Sequence, residues 1–203
     1  MGEVDTPGIY RAATAVQRIG EHRWATRFAE DWDILGNTNG GYVMAIASRA
    51  SAAEVGDRDP VTITGHFTRP AHTGDAVIET EVVREGRKLA VVRSRVFQDD
   101  RVVVETLGTF AAASDVEPET ILTDAVPPDL APPGDSEPML PHPDGAPFPP
   151  PSVGRLDLRA GPELIDFFVH GRPSTPRVTG WFRLRDGEPL DAHALIVASD
   201  AFP

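Results

Sequence analysis

The feature that most constrains this chain is a predicted helix whose first turns carry apolar side chains in every direction. Residues 42–54 contain no proline or glycine and begin Tyr-Val-Met-Ala-Ile-Ala. A helix on a protein surface has one apolar stripe, whereas a helix that is apolar all round must be surrounded by other elements. Asn, Thr and Gly residues at 37–41 precede it and mark its start. The fold must therefore wrap one central helix.

Alternating apolar and polar residues predict strands on both sides of this helix. They are expected at residues 22–29 before it and at 61–68, 76–83, 89–97 and 101–112 after it. Short turns join the later strands, which favours antiparallel pairing. A curved antiparallel sheet wrapped around one helix is the hotdog fold, an α+β architecture. We expect it for residues 1–113.

Prolines divide the remainder of the chain. Of the 20 prolines, 12 lie between residues 114 and 155, with eight acidic residues and one basic residue. Proline favours extended segments over helices and sheets, so residues 114–152 are predicted to form a proline-rich acidic linker. Residues 153–203 resemble the opening of a second hotdog, with first strands and a helix at 190–201. We expect this second repeat to be truncated.

Charge and composition exclude several classes of function. The formal net charge is −12, which disfavours binding to nucleic acids and to anionic membranes. The chain has no cysteine, no apolar run long enough to span a bilayer and no leader-like start. Its six histidines show no metal-binding spacing, so no metal site is expected. We predict a cytoplasmic location.

Several motifs, taken in order, resemble the acyl-CoA thioesterase II family, in its actinobacterial-type branch with two hotdog repeats. The first repeat matches at residues 39–42, 64–70 and 84–89, and the second repeat matches in Val-Ala-Ser-Asp at 197–200. The resemblance implies hydrolysis of an acyl-CoA thioester to a free acid and coenzyme A, with no cofactor. The second candidate function is non-catalytic binding of acyl-CoA or an acyl carrier, or an inactive remnant.

The resemblance also implies the site residues. Asp200 would be the catalytic aspartate, which positions the attacking water with a Ser or Thr and a Gln that would follow Pro203. The candidate substrate-binding residues are Asn39, Gly40, Gly41 and Tyr42. Free N–H groups at a helix N-terminus stabilise developing negative charge. Two alternatives stay open: the glycine pair serves only as a tight turn, and Asp200 is only a solvated residue near a helix end.

Two further expectations concern nearby carboxylates and assembly. Asp31 and Asp33 are either a pair of working carboxylates or favourable charges near the positive end of the helix. Without strands to cover the helix at 190–201, its apolar side chains would stay in water. Each large side chain would then forgo much of the free energy of burial. We therefore predict a homodimer or higher homo-oligomer, in preference to docking of that helix on the first hotdog.

Overall fold

An antiparallel sheet of six strands forms the body of the protein. The structure, a computed structural model, describes residues 8–112, 126–141, 149–162, 171 and 177–202. The strands of the sheet are β1 (Gln17–Gly20), β2 (Arg23–Phe28), β5 (Asp59–Phe67), β6 (Gly74–Glu85), β7 (Leu89–Gln98) and β8 (Arg101–Ala111). They lie in the order β1-β2-β6-β7-β8-β5, and each neighbouring pair is antiparallel. A small hairpin of β3 (Asp33–Ile34) and β4 (Asn37–Thr38) lies outside it.

The sheet surrounds α2 (Gly40–Glu54), the helix predicted at residues 42–54. Strands β2, β5, β6, β7 and β8 all contact this helix. None of its fifteen residues is exposed, and the side chains of Tyr42, Val43 and Ile46 are completely buried. The predicted antiparallel hotdog fold of α+β class is therefore confirmed.

Local sequence signals fix both ends of α2. The Asn39 side chain accepts a hydrogen bond of 2.7 Å from the Tyr42 N–H, which satisfies one of the free donors of the first turn. At the other end Gly56 has φ of +79°, and the Asp57 N–H bonds back to the Ala52 carbonyl at 2.8 Å. A glycine in the left-handed region is a common way for a helix to end.

Two shorter helices lie wholly within the described residues, α1 (Ile9–Ala13) and α3 (Ala194–Ala198). Neither α1 nor β1 was predicted from the sequence. The Tyr10 side chain of α1 is buried, with its ring centroid 6.2 Å from that of Trp32. Among the residues described, no helix is long and apolar enough to cross a bilayer.

The second segment begins with a small sheet. A short 3-10 helix, Pro151–Arg155, leads into β9 (Leu156–Ala160), which pairs with β10 (Gly180–Leu184). Pro138 bridges to Arg159, and the Met139 N–H donates to the Leu158 carbonyl at 2.8 Å. This part of the predicted linker therefore packs on β9. Residues 114–125 and 142–148 lie outside the described residues, and the domain boundaries stay a prediction.

The helix predicted at residues 190–201 is shorter than expected, since regular helix is confined to α3. The Asp191 carboxylate accepts a hydrogen bond from the Ala194 N–H at 2.8 Å, so the first helical turn starts after it. Ala194 and Val197 are buried in the core that includes α2, whereas Leu190 and Leu195 stay exposed. The helix thus docks on the first hotdog, which removes part of the reason for expecting a dimer.

A buried carboxylate ties the C-terminal end of α2 to the sheet. Glu54 accepts hydrogen bonds from Trp24 Nε1 at 3.1 Å, Thr80 Oγ1 at 2.8 Å and His22 Nδ1 at 2.9 Å, and it pairs with Arg18 at 3.2 Å. Burial of the carboxyl raises its pKa, but these hydrogen bonds and the arginine charge outweigh burial. The pKa of Glu54 consequently lies below its ordinary value.

Replacing this carboxylate should destabilise the fold. We expect Glu54→Gln to lower the free energy of unfolding at pH 7 by about 1–3 kcal/mol, because charged hydrogen bonds are lost in a buried place. Because the pKa of Glu54 is lower in the folded protein than in the unfolded chain, its ionised carboxylate stabilises the fold at pH values above the ordinary pKa. This contribution is lost as the pH falls through the folded-state pKa. The difference between parent and variant in urea unfolding should therefore shrink in acid.

Glu81→Gln is the matched control for this prediction. The Glu81 side chain is 64% exposed and pairs with Arg93 at the surface of the sheet. Its loss should change the free energy of unfolding by less than about 0.5 kcal/mol. Equal effects of the two substitutions would contradict a stabilising network at Glu54.

Candidate active site

Residues from opposite ends of the chain meet at the N-terminus of α2. Asp200, two residues after α3, accepts a hydrogen bond on Oδ2 from the Gly41 N–H at 2.8 Å. The same oxygen accepts a second bond from Asn39 Nδ2 at 3.2 Å. Asp200 and Gly41 are 159 residues apart in sequence. The tertiary structure therefore brings together the predicted catalytic aspartate and three of the predicted binding residues, Asn39, Gly40 and Gly41.

Gly41 permits the close approach of the second segment. A Cβ atom at this position would lie 2.8 Å from the Asp200 Cβ, 3.1 Å from the Ile196 carbonyl oxygen and 3.1 Å from the Val197 Cα. At Gly40 a Cβ would lie 3.3 Å from the Asp200 carboxylate and 3.2 Å from the Phe67 ring. Gly41 thus has a packing function and also donates its N–H to the aspartate.

Tyr42 differs from the other predicted binding residues. Its side chain is fully buried and stacks on Trp32, with ring centroids 4.6 Å apart and an interplanar angle of 7°. The hydroxyl donates to the Ala13 carbonyl at 2.7 Å and accepts from the Ala29 N–H at 3.3 Å. Burial raises the pKa of Tyr42 to about 12. Its side chain belongs to the core and does not reach the surface around Asp200.

The N–H groups of the first turn of α2 differ in availability. The Gly41 N–H donates to Asp200, and the Tyr42 N–H donates to Asn39 Oδ1. The Gly40 N–H has no hydrogen-bond partner within the described part of the chain. Asp200 Oδ1 likewise accepts no hydrogen bond from the described residues. One backbone donor and one carboxylate oxygen near the positive end of a fifteen-residue helix are therefore without a partner among the described residues.

Asp200 is exposed to solvent and borders three cavities. The first, of about 400 Å³, lies between α2, α3 and the edge strand β5. The second, of about 650 Å³, lies between the β3–β4 hairpin and residues 67–71. The third, of about 280 Å³, lies between the same hairpin and the second segment. A substrate with several parts can thus extend from this carboxylate in more than one direction.

A polar cluster holds the second segment against α2. Arg49 pairs with Asp191 at 2.6 Å and donates from Nε to Thr14 Oγ1 at 2.8 Å. His193 Nδ1 lies 3.0 Å from Ser48 Oγ, and both residues are buried. Burial, with the nearby Arg49 charge, lowers the pKa of His193 to about 4, so the imidazole is neutral at pH 7. This cluster fixes the position of α3 and hence of Asp200.

This polar cluster and the cavity walls were not predicted from the sequence. A signal was available for Arg49, a charged residue in the middle of a helix that has no exposed residue. By contrast, Asp31 and Asp33 are not part of the site. Asp31 forms an ion pair with Arg155, Asp33 lies 3.5 Å from the Thr73 hydroxyl, and neither borders the cavities around Asp200. Among the described residues no group of three His, Cys, Asp or Glu could hold a metal ion.

A side chain at Gly41 should displace the second segment. We expect Gly41→Ala to lower the free energy of unfolding by about 1–3 kcal/mol through overpacking, although alanine favours helix. Amide hydrogen exchange in α3 should become faster, because its contact with α2 is lost. Gly134→Ala is the control, since a Cβ there meets nothing within 4 Å. Unchanged exchange in α3 of the Gly41 variant would contradict the predicted close packing.

Comparison with known proteins agrees with this architecture. The profile of the acyl-CoA thioesterase N-terminal domain matches residues 28–111, and that of the acyl-CoA thioesterase C-terminal domain matches residues 123–203. A protein assigned as a thioesterase II from Thermobifida fusca is 30% identical, with a TM-score of 0.80, over 96% of this chain and 72% of that one. A hot dog fold protein from Alicyclobacillus acidocaldarius has the same TM-score at 23% identity, over 98% of this chain and 70% of that one.

A curated relative matches over a shorter stretch. The thioesterase-like protein TwmA of Talaromyces wortmannii is 28% identical over 93 residues, which are 44% of this chain. The chain spans only 27% of the length of that relative. The similarity to the Thermobifida protein extends over nearly all of this chain, and the two thioesterase domain profiles match in the expected order. The chain therefore belongs to the acyl-CoA thioesterase family.

Proposed function

We propose that the protein hydrolyses an acyl-CoA thioester to a free acid and coenzyme A, with Asp200 as the catalytic carboxylate. The observation that carries this proposal is the position of Asp200, which bonds to the N-terminus of α2 through one oxygen and leaves the other free among three cavities. Hydrolysis of a thioester needs a base for water and a donor for the oxyanion. Both lie within this one site.

The proposed reaction uses the two free groups on opposite sides of the thioester carbonyl. Water donates a proton to Asp200 Oδ1 while its oxygen forms a bond to the carbonyl carbon. The Gly40 N–H stabilises the negative charge that develops on the carbonyl oxygen, assisted by the helix dipole. The carbon–sulfur bond then breaks, and the proton on Asp200 moves to the departing sulfur of coenzyme A. The acid leaves as the second product.

The Asn39 and Gly41 hydrogen bonds have a positioning function in this scheme. They hold Oδ2 of Asp200, so the second oxygen keeps a fixed direction toward the water. A held carboxylate loses less conformational freedom when the transition state forms. Asn39 is buried and also caps α2, so its amide is itself held in place. The predicted Ser or Thr and Gln partners of Asp200 remain part of the proposal by resemblance.

Removing the charge of Asp200 tests the proposed chemistry. We expect Asp200→Asn to lower the rate of coenzyme A release from acyl-CoA by about 100-fold or more, the effect of losing a general base. Binding of acyl-CoA should change little, because the amide has a similar shape. The measurement is free thiol release across a series of acyl chain lengths, with binding measured by calorimetry.

Asp129→Asn is the matched control, because Asp129 is exposed and borders none of the three cavities. It should hydrolyse substrate at the parent rate. Equal turnover by the Asp200 variant and the parent would remove Asp200 from the mechanism. Tight binding of acyl-CoA by a parent that releases no coenzyme A would support the non-catalytic alternative.

We also propose a cytoplasmic location, a place in lipid metabolism and a homodimer. The sequence has no cysteine, so the fold needs no disulfide and is compatible with a reducing compartment. An edge strand with exposed apolar residues supports self-association, because its free N–H and C=O groups can pair with a second strand. On the edge strand β5 the side chains of Val61 and Phe67 are 58% and 49% exposed, and Leu195 lies across the adjoining cavity.

A charge on this edge should prevent the proposed association. We expect the parent to sediment as a dimer at tens of micromolar and Val61→Arg to sediment as a monomer, because like charges would then face each other. The exposed residue Val83 on β6 gives the control Val83→Arg, which should stay dimeric. A monomeric parent, or a dimeric Val61 variant, would contradict the proposed interface.

A further inference from the structure

The hairpin beside the site contains a leucine in an unfavourable backbone conformation. Leu35 and Gly36 join β3 to β4, and both have positive φ, +52° and +83°. Ile34 pairs with Asn37, so these two residues form the whole loop. Two-residue hairpin loops with both φ values positive are type I′ turns, which favour Asn-Gly. Leucine has neither the flexibility of glycine nor the local hydrogen bonding of asparagine.

Leu35 is exceptional among the described residues with positive φ. The other non-glycine residues of this kind are His22, Asp57, Asp99 and Asp100. Aspartate and histidine are several-fold enriched in the left-handed region, whereas a bulky apolar residue there is an outlier. Leu35 is also 64% exposed, so burial in the core does not compensate for its conformation. Backbone outliers of this type are concentrated at functional sites.

The position of Leu35 connects it with Asp200. It borders both the 650 Å³ cavity and the 280 Å³ cavity, and Asp200 borders the same two. The smaller cavity is lined mainly by apolar side chains. They include Met139, Val153, Leu156, Leu158 and Phe202. Leu35 and Asp200 therefore both border an open cavity of mixed polar and apolar lining and a second, more strongly apolar chamber.

We propose that the 280 Å³ cavity receives the acyl chain of the thioester and that Leu35 packs over this chain, as a specificity-determining residue. The inference rests on the proposed function, which places the thioester carbonyl at Asp200. An apolar chain attached to that carbonyl gains most by entering the adjoining cavity with apolar walls. Leu35 then covers the part of the chain nearest to the carbonyl, and its exposed surface becomes buried when substrate binds.

This assignment explains why leucine occupies a turn that favours asparagine. Leu35 borders both cavities, and an asparagine at this position would bring an amide against the acyl chain. Stability of the free protein therefore favours asparagine at this position, whereas the proposed binding of substrate favours leucine. Strain that lowers stability and supports function is found at many binding sites.

The variant Leu35→Asn distinguishes the effect of this residue on stability from its effect on substrate binding. Because asparagine suits the turn, we expect the midpoint of urea unfolding to stay at the parent value or rise. Binding is measured by calorimetry with S-octyl-CoA and S-methyl-CoA, thioethers that the protein cannot hydrolyse. We expect the variant to bind S-octyl-CoA about 10-fold more weakly, the scale of one lost leucine contact. Its affinity for S-methyl-CoA should change less than about twofold, because that ligand hardly enters the chamber.

Leu89→Asn is the matched control, because Leu89 is 50% exposed and borders none of the cavities around Asp200. It should leave the affinities for both thioethers unchanged. An unchanged ratio of the two affinities in the Leu35 variant would overturn the proposal, as would a parent that shows no preference for the longer chain.

Hydrolysis of octanoyl-CoA, measured in parallel, distinguishes failure of the pocket from failure of the proposed function. A parent that binds S-octyl-CoA through Leu35 but releases no coenzyme A would support the chamber and overturn the hydrolase. A parent that hydrolyses octanoyl-CoA, with the same chain-length preference in the variant, would overturn the assignment of Leu35 alone.

Discussion

The burial of α2 on all sides is the constraint on which the rest of the structure depends. A helix with apolar residues around its whole circumference is stable in water only when every face is covered. The sheet covers most of it, and Ala194 and Val197 of α3 join the core against it. The N-terminus of α2 consequently lies where the sheet, the β3–β4 hairpin and the second segment converge. The candidate active site is a result of that convergence.

Two carboxylates lie at opposite ends of α2, and their different surroundings suit them to different roles. Glu54 stabilises the fold, whereas Asp200 is the proposed catalytic group. Glu54 lies at the C-terminal end, where the helix dipole disfavours negative charge. Hydrogen bonds from three side chains and the Arg18 charge compensate, and its side chain is only 6% exposed. Asp200 lies at the N-terminal end, which attracts negative charge. It has two donors on one oxygen and is open to solvent on the other, so it can interact with water and substrate.

Two departures from ordinary backbone and side-chain preferences lie near Asp200. Gly41 lets α2 approach the residues around α3 more closely than a side chain at this position would allow. Leu35 occupies a turn whose backbone conformation is unfavourable for leucine. Both ends of α2 follow standard preferences, with an asparagine cap at its start and a glycine just after its end. A chain whose local preferences agree with its fold nearly everywhere commonly violates them at functional sites.

The sequence by itself determined the central helix, the antiparallel strands and the hotdog class, because these depend on the period of apolar residues, which is a local property. It also indicated Asn39, the glycine pair and Asp200 as candidates, through local capping signals and family resemblance. Only the tertiary structure decided that α3 spans Ala194–Ala198, that Tyr42 belongs to the core and that Leu35 borders two cavities. These facts depend on contacts between residues far apart in the chain, such as Gly41 and Asp200. Periodicity assigns each residue to a face of its own element, but which residues of other elements meet that face is fixed by packing.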